Sequence, residues 1–88
     1  MDDIIKLVTS TYRVRLSDLQ SKKRAKSVSL PRQICMFLAR KLTPHSLEEI
    51  GGYFGGRDHT TVMYAEERVT SLAEEKPDFR RSLENFER

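Results

Sequence analysis

The stretch SLEEIGGYFGGRDHTTV, residues 46–62, decides the fold of this chain. It opens with Ser46 and Glu49, which have the spacing of a capping box, where each side chain accepts a hydrogen bond from the other residue's backbone N–H. The pair Gly55-Gly56 supplies the left-handed conformations that end a helix, and Asp58 is a strong N-cap for the next one. The stretch therefore predicts two helices joined by a tight turn, which is a helix-turn-helix.

Helical signals also lie on both sides of this stretch, and the chain contains no repeat or linker. Residues 2–12 have apolar side chains at helical spacing, and residues 17–20 predict a single capped turn. Ser29 followed by Pro31 predicts the start of a helix that ends near Leu42, and Pro77 predicts the start of the last helix. The helix-turn-helix spans about residues 46–75, and the glycines at 51 and 52 indicate that another backbone packs closely there. We predict a single all-α domain over residues 1–88, a compact bundle of about five or six helices.

Length and composition exclude several classes of protein. The chain has 88 residues, 38% of them hydrophobic and 33% charged, which suffices for one small core but not for a multidomain enzyme. A transmembrane helix needs about 20 apolar residues, whereas the longest apolar run is Ile34 to Ala39. The acidic start Met1-Asp2-Asp3 is unlike a signal peptide, and Cys35 is the single cysteine. We expect a reducing, cytoplasmic setting.

Charge is distributed unevenly along the chain, although the net charge is only +3. No Asp or Glu lies between Leu19 and Leu47, a segment that contains the basic loop, residues 21–27. From Glu66 onward acidic residues outnumber basic ones. This uneven distribution of charge indicates that one face of the domain binds a polyanionic partner. The alternative interpretation is that the basic residues form only a solvated loop and a solvated helix face.

The start of the second helix of the helix-turn-helix has the side chains expected of a DNA-reading tip. In this motif the N-terminal end of the second helix enters the major groove. Asp58 can accept from a cytosine amino group, His59 can bond a purine edge, and Thr60 and Thr61 offer hydroxyls and methyls. Arg57, in the turn, can neutralise a phosphate. The alternative interpretation of Asp58 is an N-cap alone, with the two threonines as a polar first turn.

The run Gly55 to Val62 closely resembles the signature of the C-terminal DNA-binding domain of the bacterial replication initiator DnaA. The resemblance includes Pro31-Arg32-Gln33, the run Ala39 to Thr43 and the run Ser46 to Gly51, and it extends to about Glu75. Two positions depart from the pattern: Glu48 stands where many relatives have proline, and Tyr64 where some have histidine. The resemblance implies a helical fold of the TrpR-like, DnaA C-terminal type that binds double-stranded DnaA boxes in replication origins.

The resemblance also implies a role for individual residues. Arg24 matches an arginine that enters the minor groove, which fits the attraction of narrow A·T-rich grooves for arginine. The residues implied to contact bases are Arg24, Arg32, Asp58, His59, Thr60 and Thr61. Those implied to contact phosphates are Lys22, Lys26, Gln33, Arg40, Leu47, Arg57, Tyr64 and Arg68.

Other functions have weaker sequence support. No phosphate-binding Gly-x-x-x-x-Gly-Lys-Ser/Thr loop occurs, so we expect no cofactor in this chain, with ATP bound by a separate upstream domain. His45 and His59 lack a set of metal-ligand partners, and Cys35 borders a buried stripe, so we expect neither a zinc site nor an enzyme. Two alternatives remain: a free-standing DnaA-like transcriptional regulator, or a module whose amphipathic first helix binds acidic lipid or protein.

The resemblance implies further partners for a full-length initiator, namely acidic phospholipids and regulatory proteins. For the isolated domain we expect a monomer, located in the cytoplasm and associated with the chromosome.

Overall fold

Six helices form the part of the chain that the computed structural model describes, residues 1–87. They confirm the predicted all-α bundle. In chain order they are α1 (Asp2–Tyr12), α2 (Leu16–Leu19), α3 (Lys26–Leu42), α4 (Leu47–Tyr53), α5 (His59–Glu75) and α6 (Pro77–Phe86).

The central helix is α3, which contacts α1, α2, α4 and α5, whereas α6 packs on α5 and α1. Its buried stripe includes Ile34, Cys35 and Leu38, each fully inaccessible to solvent. The apolar face of α1 is also buried, through Ile4, Ile5 and Val8. These three side chains are part of the hydrophobic core and are therefore not available to a membrane or a partner.

The start of α3 differs from the sequence prediction. The helix begins at Lys26, whereas Ser29 and Pro31 were predicted to mark its start. The carbonyl of Ala25 accepts hydrogen bonds from the N–H groups of Val28 and Ser29, and Val28 is buried, so the earlier turn is stabilised by packing. Pro31 therefore lies inside the helix. The non-helical basic loop is shortened to residues 21–25.

The turn between α4 and α5 is fixed by tight packing. Phe54, at the C-terminal end of α4, is fully buried, and such burial stabilises by about 1.5–3 kcal/mol. Gly51 lies against the backbone of Arg57, whose N–H donates to the Gly51 carbonyl at 2.8 Å, and a Cβ at Gly51 would overlap the Arg57 carbonyl oxygen. Gly52 has open space around it. The predicted close backbone approach is thus confirmed for Gly51 and wrong for Gly52.

Candidate nucleic-acid interface

The N-terminus of α5 is organised by Asp58. Its Oδ1 accepts from the backbone N–H of Thr61 at 3.0 Å, from the Thr60 hydroxyl at 2.7 Å and from the Thr61 hydroxyl at 3.0 Å. The capping role predicted for Asp58 is confirmed. These bonds, first that from the Thr60 hydroxyl, lower the pKa of Asp58, so the carboxylate is ionised at neutral pH.

Capping leaves part of Asp58 free for a ligand. No hydrogen bond from residues 1–87 reaches Oδ2, and the residue is exposed. An unpaired carboxylate oxygen accepts from an exocyclic amino group such as that of cytosine. The cap and the base contact are therefore compatible, because they use different oxygens.

His59, Thr60 and Thr61 are exposed beside this cap. The hydroxyl protons of both threonines are directed to Asp58, which leaves their lone pairs and methyl groups for a partner. Met63 follows His59 by four residues and Thr60 by three, so it lies on the same helix face, and it is 45% exposed. The sequence analysis did not include Met63 among the candidate residues.

The basic loop follows α2 directly. The Ser21 hydroxyl donates to the Asp18 carbonyl at 2.6 Å, and Lys23 forms an ion pair with Asp18 at 3.0 Å. Lys22 and Arg24 are exposed and form no ion pair or hydrogen bond with the described residues. These two cations are therefore available to a ligand.

Arg32 differs from the other residues implied to touch bases, because it is buried, with only 6% of its surface exposed. Its Nε donates to the Leu19 carbonyl at 2.7 Å, and its Nη2 lies 3.1 Å from each of three further carbonyls, those of Asp18, Ser21 and Lys23. Burial, and then the nearby Arg57 charge, lower the pKa of Arg32. In this arrangement Arg32 holds the backbone of α2 and the basic loop, and the base contact implied for it stays a prediction.

Arg57, implied to contact a phosphate, is half-buried and joins two segments. Its Nη1 donates to the Phe54 carbonyl within the turn, and its Nη2 donates to the Ser21 carbonyl of the basic loop at 2.6 Å. Arg57 thus links the turn before α5 to the loop before α3.

Two grooves are lined by several of the cations. One is lined by Lys22, Arg24, Arg32, Gly55, Gly56 and Arg57. The other includes Lys26, Gln33, Arg68 and Lys76. Neither has an acidic residue among its described lining. The groove between α3, α5 and α6, by contrast, has mixed charge, with Glu74, Glu84 and Glu87 beside Lys41 and Arg80. The uneven distribution of charge along the sequence therefore corresponds to an uneven distribution on the surface of the domain.

Three implied phosphate contacts lie outside these grooves. Arg40 is exposed in the last turn of α3, and Tyr64 is 58% exposed on α5. Leu47 packs against the core, but as the first residue of α4 it has a backbone N–H without a partner in its own helix. The capping box beside it is confirmed, with Ser46 N–H donating to Glu49 at 2.9 Å and Glu49 N–H donating to Ser46 at 3.1 Å.

Comparison with known families agrees with this geometry. The model of the family described as bacterial dnaA protein helix-turn-helix matches residues 1–69. The chain belongs to this family. The match spans α1 to the middle of α5 and includes the basic loop, the turn and the tip of α5. The DnaA helix-turn-helix is a DNA-binding domain of bacterial replication initiation, and double-stranded DNA is its partner.

Two further observations concern other classes of function. Cys35 is fully buried, and burial raises the pKa of its thiol to about 12, as expected for a packing residue. Among residues 1–87, no helix is both long enough and apolar enough to span a membrane.

Proposed function

We propose that this domain binds double-stranded DNA sequence-specifically, at DnaA-box-like elements of a replication origin, and so supports the initiation and regulation of replication. The supporting observation is the exposed tip formed by His59, Thr60 and Thr61 on a capped helix, on the same molecule as a basic loop whose Arg24 has no partner among the described residues. We propose that it acts as a monomeric, non-enzymatic module in the cytoplasm, associated with the chromosome.

In this proposal the tip of α5 enters the major groove. The Oδ2 of Asp58 accepts from a base amino group, and His59 donates to or accepts from a purine edge. Thr60 and Thr61 offer acceptor lone pairs and methyl groups, the latter for contact with the thymine 5-methyl group. Each good base contact contributes about 1–3 kcal/mol of discrimination.

The basic loop reads the adjacent minor groove. Arg24 is exposed and has no carboxylate to neutralise it among residues 1–87, so a narrow A·T-rich groove, with its negative potential, attracts it. Phosphates are held by Lys22 and by the second groove, where Lys26, Gln33 and Arg68 lie together. Arg40, Tyr64 and the backbone N–H of Leu47 complete the proposed phosphate contacts.

A fluorescence-anisotropy titration tests this function. A labelled DnaA-box duplex should bind at least about tenfold more tightly than a scrambled duplex at the same salt, because one mismatched base pair alone costs about 1–3 kcal/mol. His59→Ala should lose about 1–3 kcal/mol on the box and little on the scrambled duplex.

The proposed role of Arg24 is tested with a second arginine substitution as its control. Arg24→Ala should lose affinity for the box selectively, whereas Arg81→Ala removes the same charge from the exposed surface of α6 and should leave box binding unchanged. Equal affinity of the unmodified domain for both duplexes would refute sequence-specific reading.

A further inference from the structure

Two arginines from different parts of the chain donate to one carbonyl oxygen of the basic loop. The Ser21 carbonyl accepts from Arg32 Nη2 at 3.1 Å and from Arg57 Nη2 at 2.6 Å. Arg32 comes from α3, and Arg57 comes from the turn before α5. The loop that carries Arg24 is therefore tied to both the central helix and the helix-turn-helix.

A second contact joins the same two segments. The Gln20 side chain donates from Nε2 to the Tyr53 carbonyl at the end of α4, at 2.7 Å. The Gln20 carbonyl lies so close to Gly55 that a Cβ there would overlap it, and Gly55 also has a positive φ of 87°. The end of α2 thus rests on the turn through backbone as well as side chains.

We propose that this joint, made by Gln20, Ser21, Arg32, Gly55 and Arg57, sets the position of Arg24 relative to the tip of α5. Arg32 and Arg57 are then positioning residues, which act on DNA through the loop that they hold. This inference rests on the proposed function, since it explains how one rigid domain places two reading elements in neighbouring grooves.

The choice of arginine follows from geometry. Arg57 reaches the Phe54 and Ser21 carbonyls with two different nitrogens of one planar group, so it fixes the distance between turn and loop. Lysine has a single nitrogen on a flexible stem and does not reproduce a planar two-nitrogen bridge. A phosphate contact, by contrast, needs mainly the positive charge. Arg57→Lys therefore distinguishes the bridge between turn and loop, which it should lose, from a phosphate contact, which it should keep.

The deciding experiment is a double-mutant cycle between Arg57 and Arg24 on the box duplex. Arg57→Ala alone should weaken box binding about tenfold, within the range of one lost base contact. In an Arg24→Ala background it should cost less than about twofold, because residues that act through one another are not additive. Arg57→Lys should behave like Arg57→Ala. Circular dichroism should show that all of these variants are folded.

Arg40→Ala is the matched control for a true phosphate contact. It should weaken box and scrambled binding alike, lower the salt slope by about 0.9, and add to Arg24→Ala. Arg57→Ala should lower the slope no more than Arg24→Ala does, because it acts through that residue. The positioning role would be overturned by additive losses for Arg57 and Arg24, by a slope lowered more than in Arg24→Ala, or by full box affinity of Arg57→Lys. Each of these outcomes would leave box discrimination by the unmodified domain standing. Absence of that discrimination would instead refute the proposed function.

Discussion

The tip of α5 and the basic loop are both exposed, yet they are held in place in different ways. At the tip, Asp58 caps the helix through bonds to residues two and three positions away. The loop has local contacts with Asp18, but its backbone is held by Arg32 and Arg57 through bonds that span 9 to 36 residues. The tip therefore carries its own support, whereas the loop depends on the folded domain around it.

This difference teaches how each region should respond to perturbation. A substitution that disrupts the core should unfold both the tip and the loop. A substitution near the turn should affect the loop and the residues that hold it. A substitution of the cap should affect α5 alone. Three predictions separate these cases, from the largest expected effect to the smallest.

Loss of the core should abolish both regions together. Val62 is fully buried in the hydrophobic core one turn into α5. Val62→Asp places a carboxylate in this apolar core, so the helical circular dichroism signal and cooperative unfolding should disappear. The control is the same substitution at the next residue: Met63→Asp, at a position 45% exposed, should remain folded. A folded Val62→Asp would contradict the packing described for α5.

Substitutions at the two glycines of α4 should have opposite effects on stability. Gly51→Ala forces a Cβ against the Arg57 carbonyl and should lower the free energy of unfolding by about 1–3 kcal/mol. Gly52→Ala, in open space within the same helix, should raise it by about 0.5–1 kcal/mol. Urea unfolding measures both. Changes of the same sign would mean that α4 does not pack on the backbone of the turn.

The cap should show a pH-dependent contribution of its own. The pKa of Asp58 is lowered in the folded state, so its stabilisation is present above the unfolded value of 3.8 and is lost as pH falls through the lower folded pKa. Asp58→Asn retains a capping side chain that does not titrate. The unmodified domain should be the more stable at neutral pH, where the ionised carboxylate also favours the helix N-terminus, and this advantage should vanish in acid.

The difference in unfolding free energy between the unmodified domain and Asp58→Asn isolates the contribution of Asp58. Asp18 and Glu49 also have lowered pKa values, but they titrate in both proteins and cancel when the two unfolding free energies are subtracted. A difference between the two proteins that does not change with pH would show that Asp58 does not act as an ionised cap.

The same contrast explains what the sequence could predict. The capping box of Ser46 and Glu49 and the cap of Asp58 join residues three apart, so a local pattern was enough to find them. The turn, the tip and the exposed cations of the loop followed from the same local signals. The resemblance to DnaA rested on these residues as well.

The rest depended on contacts that no local pattern contains. Arg32 and Arg57 carry the positive charge that is typical of residues that contact DNA. Only the fold shows that their guanidinium groups are bonded to carbonyls of distant segments. The start of α3 was predicted too late because burial of Val28 outweighed the preference of proline for a first turn. Met63 was missed because an exposed apolar residue is not by itself a signal.

The most direct test is an NMR titration of the isotope-labelled domain with a DnaA-box duplex. If the tip and the loop grip one duplex, the amides of residues 58–61 and 21–25 should shift together, with the same dependence on DNA concentration, while those of α6 stay in place. Shifts confined to α1 or α6, or loop shifts without movement at the tip, would contradict the account.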